Sequence, residues 1–165
     1  MTGTRQLAPV AILVVVAVLG AIGFRAYRGA QPEMCYACQR PIHAHSRTVA
    51  SVNGRAKTFC CPACALSERE QEGRPVRIAE LTSFLTGAKL APNDAYVVKG
   101  SDVNLCAHAH EMIDADKRTA GVLYDRCSPS LIAFGQRSEA MEFAREHGGE
   151  VLAFKEVMAA SERQN

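Results

Sequence analysis

The chain has 165 residues, a formal net charge of +2, and Lys and Arg scattered along it with only 6% aromatic residues. That balance carries no basic stripe or aromatic platform, so nucleic acid is excluded as a partner. Its seven cysteines are an odd number, which rules out a complete disulfide framework within one chain.

The first element is an uncharged apolar run from Leu7 to Phe24 (LAPVAILVVVAVLGAIGF). As a helix it spans roughly 27 Å at about 1.5 Å per residue, close to a bilayer core of about 30 Å. The alternative is the apolar region of a signal peptide. Bulky Phe24 before Ala26 and charged Arg28 before Ala30 spoil the small-residue cleavage sites, and no cysteine follows closely enough to accept a lipid. The run is therefore read as an uncleaved membrane anchor. Arg5 lies on one side of it and Arg25 and Arg28 on the other. Taken alone, that Lys/Arg balance weakly favours a cytoplasmic C-terminal part.

Cys35-Tyr-Ala-Cys38 follows, and after it TVASV, Asn53-Gly54 and RAKTF, two short strands around a primed-turn dipeptide. Pro62 then opens a helix that runs to about Glu72 and stops at Gly73, with PVRIAEL as the next strand. Further on, DAYVVKGSDV and SLIAF are strands separated by a long insertion. Ser138 is a candidate N-cap for a helix that ends at Gly148-Gly149, and EVLAFKEV is the last strand. Phe59–Leu81 and Phe134–Glu156 align without a gap at an offset of 75, pairing Phe59 with Phe134, Gly73 with Gly148 and Val76 with Val151. The predicted fold is α+β: an N-terminal transmembrane helix followed by two tandem ββαβ units. The predicted divisions are a membrane anchor at 1–30, a cysteine-rich metal-binding unit at 31–90, a second unit at 91–158 and a tail at 159–165.

Cys35, Cys38, Cys60, Cys61 and Cys64 are the candidate metal ligands. A CxxC knuckle joined by a hairpin to two cysteines in the first turn of a helix supplies the four thiolates of a tetrahedral site. The helix N-terminus also favours thiolate there. Cys60 and Cys61 compete for one place in that set, with the other spare. A redox CxxC normally opens a helix, whereas Arg40-Pro41 follows this one, so thiol-disulfide exchange is disfavoured. No Ser-His-Asp set, paired carboxylate motif or phosphate loop is visible, and the protein is not read as an enzyme.

A second soft-donor group alternates along Cys106, His108, His110 and Met112, with Cys127 able to return beside Cys106 on a hairpin. Thiolate, imidazole and thioether suit Cu(I). A Cys106–Cys127 disulfide and a plain polar loop are the alternatives. His43 and His45 could join the finger or bind a second ion, although an exposed turn accounts for them equally well. His147 is read as structural, at a helix end.

The spacing C-x2-C-x21-C-x3-C, with an aromatic before the third cysteine, resembles the TRASH-type metal-binding finger. The wider set MCYACQRPI, NGRAKTFCCPAC, DAYVVKGSDV and SLIAFGQRSEAMEFAREHGGEVLAFKEV resembles the NosL family, accessory proteins that deliver copper to nitrous oxide reductase. The resemblance spans about 35–157. It implies tandem ββαβ units, Cu(I) handling on the outer face of the membrane, and a metalloenzyme or metal-transport partner. The chain departs from the family in three ways: it lacks the lipid-accepting cysteine, it carries YDRCSPS where a Met-Gly pair is expected, and its first unit has a fuller cysteine set. The expected function is that of a membrane-anchored copper metallochaperone holding copper(I) or zinc. The alternative is a structural zinc adaptor in a membrane complex.

Overall fold

The computed structural model describes residues 7–29, 32–106, 112–113, 119–120 and 126–163. It separates into two compact units, Met1–Glu33 and Met34–Asn165. In the first, the apolar run forms one helix, α1 (Leu7–Gly29). Its window Ile12–Gly29 has a mean hydropathy of 1.7, long and apolar enough to cross a membrane. A signal sequence and an anchor both satisfy that test.

The second unit is α+β, with two main antiparallel sheets. In the first sheet β1 (Thr48–Val52) lies between β2 (Arg55–Phe59) and β3 (Val76–Thr82), and β3 also pairs with β4 (Lys89–Leu90). Asn53 and Gly54 both have positive φ, 50° and 77°, as a primed hairpin turn requires. Helix α2 (Pro62–Glu72) has Pro at its start and ends at Gly73, whose φ of 63° is left-handed and whose N–H caps the Arg69 carbonyl. In the second sheet β5 (Tyr96–Lys99) lies between the later strands β8 (Leu131–Phe134) and β9 (Glu150–Ala153). The small hairpin of β6 (Met112–Ile113) and β7 (Thr119–Ala120) is inserted between β5 and β8. Helix α3 (Arg137–His147) connects β8 to β9.

The two sheets share a plan. In each, the first strand is central, the second and third flank it, and a helix joins the flanking strands. Phe59 pairs with Thr48 and Phe134 with Tyr96, so each phenylalanine ends its strand opposite the first residue of the central one. Both are fully buried.

All four residues of β8 are buried because the second sheet is covered on both faces. Successive side chains of a strand point to opposite faces. Val97, Leu131 and Ala133 enter a core shared with Phe59, Leu81 and the buried cysteines. Val98, Ile132 and Phe134 enter a smaller core with Ala140 and Phe143 of α3. There Phe134 lies 5.1 Å from Phe143 between ring centroids, and Phe84 lies 5.3 Å from Phe143.

Three expectations are corrected. EVLAFKEV is a strand only as far as Ala153. Helix α4 (Phe154–Arg163) follows, so most of the expected tail is helical. Phe154 is fully buried, and Val157 and Met158 pack on the same core, so residues at i, i+3 and i+4 hold the helix down. The Glu156 side chain accepts from the Ala153 N–H at 3.3 Å, a local start signal for that helix. At α3 the N-cap is Gln136 rather than Ser138, with the Glu139 carboxylate accepting from the Gln136 N–H at 3.1 Å.

Candidate metal centre

The site begins with the knuckle at Cys35. Met34 bridges Pro41, the Cys35 N–H donates to the Arg40 carbonyl at 2.8 Å, and the Gln39 N–H donates to the Cys35 carbonyl at 3.0 Å. Gln39 takes a φ of 57°, which turns the chain tightly enough for both cysteines of the CxxC to face inward. The Tyr36 N–H donates to the Thr58 carbonyl at 2.8 Å, and its ring meets Phe59 edge-on at 5.8 Å. The knuckle is thereby fixed on the end of β2, one residue before Cys60.

Cys60 leaves β2, Cys61 is the N-cap of α2, and Cys64 lies in the first turn. The Cys61 sulfur accepts from the Cys64 N–H at 3.4 Å. These sulfurs therefore stand at the positive end of a helix, which stabilises thiolate. Cys35, Cys38, Cys60 and Cys64 bring their sulfurs within 4.8 Å of one another. The Cys35–Cys64 and Cys38–Cys60 separations are 3.6 and 3.5 Å. A metal–sulfur bond of about 2.3 Å in tetrahedral geometry sets neighbouring sulfurs about 3.8 Å apart, so the set has the size of a tetrathiolate site.

Of the expected second soft-donor group, only the side chains of the two cysteines lie among the described residues. Cys106 and Cys127 join the first group, and Cys60, Cys61, Cys106 and Cys127 also bring their sulfurs within 4.8 Å of one another. Cys60 lies 3.6 Å from Cys127 and 4.0 Å from Cys61, and the Cys106 thiol donates to the Cys60 carbonyl at 3.4 Å. None of the seven cysteines is in a disulfide, and only Cys38 is part-exposed. His108 and His110 lie outside the described residues, and of Met112 only the backbone, in β6, is described. His43 and His45 are exposed, and the His45 Nδ1 pairs with the Phe84 carbonyl at 2.7 Å. Neither is part of either cysteine group. His147 caps no metal either: its Nδ1 meets the Asp102 carboxylate at 3.0 Å.

Polar residues that the motif search passed over bring Cys106 and Cys127 in. The Arg40 guanidinium donates to the Cys106 carbonyl at 2.6 Å. The Asn104 amide accepts from the Cys106 N–H and donates to the Cys127 carbonyl, both at 3.1 Å, and so holds the two segments together. Arg126, next to Cys127, donates to Glu68 at 3.1 Å and Glu72 at 2.8 Å on α2. Glu68 is nearly fully buried and also accepts from Arg74 at 2.9 Å.

Mutual hydrogen bonding divides the sulfurs into acceptors and donors. Bonds from Cys60 and then Cys64 hold the Cys35 thiol down to about 2. A bond from Cys106 holds Cys61 down to about 6, and Cys106 also lowers Cys127. Cys60 is raised chiefly by its bond with Cys106, Cys64 and Cys106 are raised chiefly by Cys127, and Cys38 is raised by burial. The cluster thus holds thiolates beside thiols in a low-dielectric interior. A soft cation would neutralise it by displacing the remaining protons.

Among curated proteins none is significantly similar to this chain. Among solved structures it is similar to one described as the copper chaperone NosL from Shewanella denitrificans. The identity is 15%, the TM-score is 0.47, and the match covers 75% of this chain and 88% of that one. Residues 28–161, most of the chain, match the NosL family model, and the chain belongs to the NosL family.

Proposed function

We propose that the protein is a membrane-anchored copper metallochaperone whose cysteine cluster carries Cu(I) to a partner metalloenzyme. The NosL family is non-enzymatic, and membership of it supports nitrous oxide reductase as the acceptor and an extracytoplasmic position for the cysteine-bearing unit. The observation that carries the reading is the gathering of seven cysteines, none in a disulfide, with sulfur–sulfur separations of 3.5 to 4.0 Å. An all-thiolate set selects soft ions such as Cu(I), and Zn²⁺ to a lesser degree. Cys35, Cys38, Cys60, Cys61 and Cys64 are its first ligands, and Cys106 and Cys127 extend the set. His108, His110 and Met112 are, on this reading, the further soft donors of a second, transfer site with Cys106 and Cys127. Cys38, at the edge of the cluster, is the sulfur an acceptor reaches first.

One observation favours the adaptor reading. Six of the seven cysteines are buried, as in a structural zinc site that does not exchange. The test is an anaerobic Cu(I) titration of the detergent-solubilised full chain against a chromogenic Cu(I) chelator, followed by mixing with apo nitrous oxide reductase. Cu(I) that is held against the chelator and then passes to the reductase supports the chaperone. Tightly held Zn²⁺ with no Cu(I) uptake replaces it with the adaptor.

A further inference from the structure

We propose that the seven cysteines form one dinuclear thiolate centre, in which the Cys60 sulfur bridges two metal ions. The inference rests on the metal-binding reading above and assigns its stoichiometry and connectivity.

Two overlapping four-sulfur groups are present, and Cys60 is the one residue common to both. Its sulfur stands 3.5 Å from Cys38 in one group, and 3.6 Å from Cys127 and 4.0 Å from Cys61 in the other. These separations match the edge of a tetrathiolate tetrahedron, about 3.8 Å. Two tetrahedra that share a corner need seven sulfurs, which is the number of cysteines in the chain. Two independent tetrahedral sites built from thiolate alone would need an eighth. A single site on Cys35, Cys38, Cys60 and Cys64 would leave Cys61, Cys106 and Cys127 buried beside it, although with Cys60 they form a second group of metal-site size.

Bridging suits a thiolate, because sulfur keeps lone pairs after binding one cation. Cys60 is fully buried between the knuckle and the Cys106 and Cys127 segments, where both ions can reach it and water cannot. Two mono- or divalent ions on seven thiolates leave a residual negative charge. The N-terminus of α2 opposes it, as do Arg40 at the Cys106 carbonyl and Arg126 beside Cys127. The two ions also tie different parts of the chain. One joins the knuckle to α2, and the other joins the turn before α2 to the segments on either side of the β6–β7 insertion.

The test is a Co²⁺ titration of the full chain in detergent, reduced and anaerobic, after a thiol assay has counted seven free cysteines. Sulfur-to-cobalt absorption should grow to two equivalents. The high-spin Co²⁺ paramagnetic resonance signal should rise with the first and fall with the second, because a shared thiolate couples the two spins. The double variant Cys106→Ser/Cys127→Ser should bind one equivalent, and its signal should persist. Two equivalents whose signals simply add would overturn the bridge. Saturation at one equivalent would overturn the dinuclear centre and leave the metal-binding reading standing. No cobalt uptake by the folded chain would overturn the dinuclear centre, and the Cu(I) titration above then decides the metal-binding reading by itself. The wild-type titration decides the matter even if the double variant fails to fold.

Discussion

Replacing Phe134 by Ala tests whether the two cores are separate structural units with separate roles. Phe134 is fully buried and lies against Phe84 and Phe143, with ring centroids 6.1 and 5.1 Å away. Truncating a buried phenylalanine costs about 3–5 kcal/mol in total, of which lost ring pairs supply about 0.5–1.5 kcal/mol each. A loss near 4 kcal/mol is therefore expected. For a unit of this size each kcal/mol lowers Tm by roughly 3–5 °C, so the melting point should fall by about 12–20 °C. Phe134 belongs to the core under α3, whereas Phe59 shares its core with Cys35, Cys60 and Cys64. Phe134→Ala should thus lower Tm and leave the number of metal equivalents unchanged at low temperature. Phe59→Ala should lower both. Thermal unfolding by circular dichroism of the full chain in detergent, with metal equivalents counted below the transition, reads both quantities. A Phe134→Ala shift below about 5 °C, or a loss of metal equal to that of Phe59→Ala, would refute the division into two cores.

Three other outcomes are expected. Gly149 has a φ of 95°, and a Cβ there would lie 2.8 Å from the Lys99 carbonyl, whereas Gly148, at 69°, has open space. By denaturant unfolding Gly148→Ala should cost about 1–3 kcal/mol from backbone strain alone, since its φ of 69° and ψ of −172° suit only glycine, and Gly149→Ala should cost more because the contact adds to the strain. Arg126→Ala removes hydrogen bonds to Glu68 and Glu72 and should cost about 1.5–3 kcal/mol by the same measurement. It should also weaken the second metal equivalent more than the first, because Cys127 loses its anchor. Finally, Cys38, Cys60, Cys64 and Cys106 are raised and hold their protons near neutral pH. Metal loading should then release about four protons, and metal affinity should fall as pH falls. Calorimetry in two buffers of different ionisation enthalpy measures that number, and a buffer-independent heat would contradict the assignment.

Local rules made much of the first half of the second unit legible. Asn53-Gly54 specifies a primed turn, Pro62 and Gly73 mark the two ends of α2, and the strands on either side fall where the pattern puts them. The offset of 75 between Phe59 and Phe134 anticipated the shared plan of the two sheets, since it keeps the register opposite the central strand as well as the residue type. What failed was local in appearance but settled by tertiary packing. The stretch from Glu150 carries a period-2 pattern, and Phe154, Val157 and Met158 carry a helical one that overlaps its end. Only the apolar surface left uncovered beside Leu81 and Val97 favours the second. The Glu156 side chain bonded to the Ala153 N–H is the signal that could have shown the change of element.

The site divides in the same way. The CxxC knuckle and the cysteines at the start of α2 are readable because short-range backbone geometry places their sulfurs. Gln39 in the left-handed region and Cys61 at the N-cap do most of that placing. Cys106 and Cys127 have no such local frame. Arg40, Asn104, Arg126 and Glu68 bring them in, residue types that a sequence search treats as ordinary surface. The alternation along Cys106, His108, His110 and Met112 suggests a soft-donor site, and of these side chains only Cys106 is described, grouped with Cys60, Cys61 and Cys127. Once a four-cysteine finger is subtracted from seven, three thiols remain. Three can complete a second all-thiolate tetrahedron only by borrowing a sulfur from the first. Cys60, adjacent to the spare Cys61 and opposite Cys38, is the sulfur in a position to be shared.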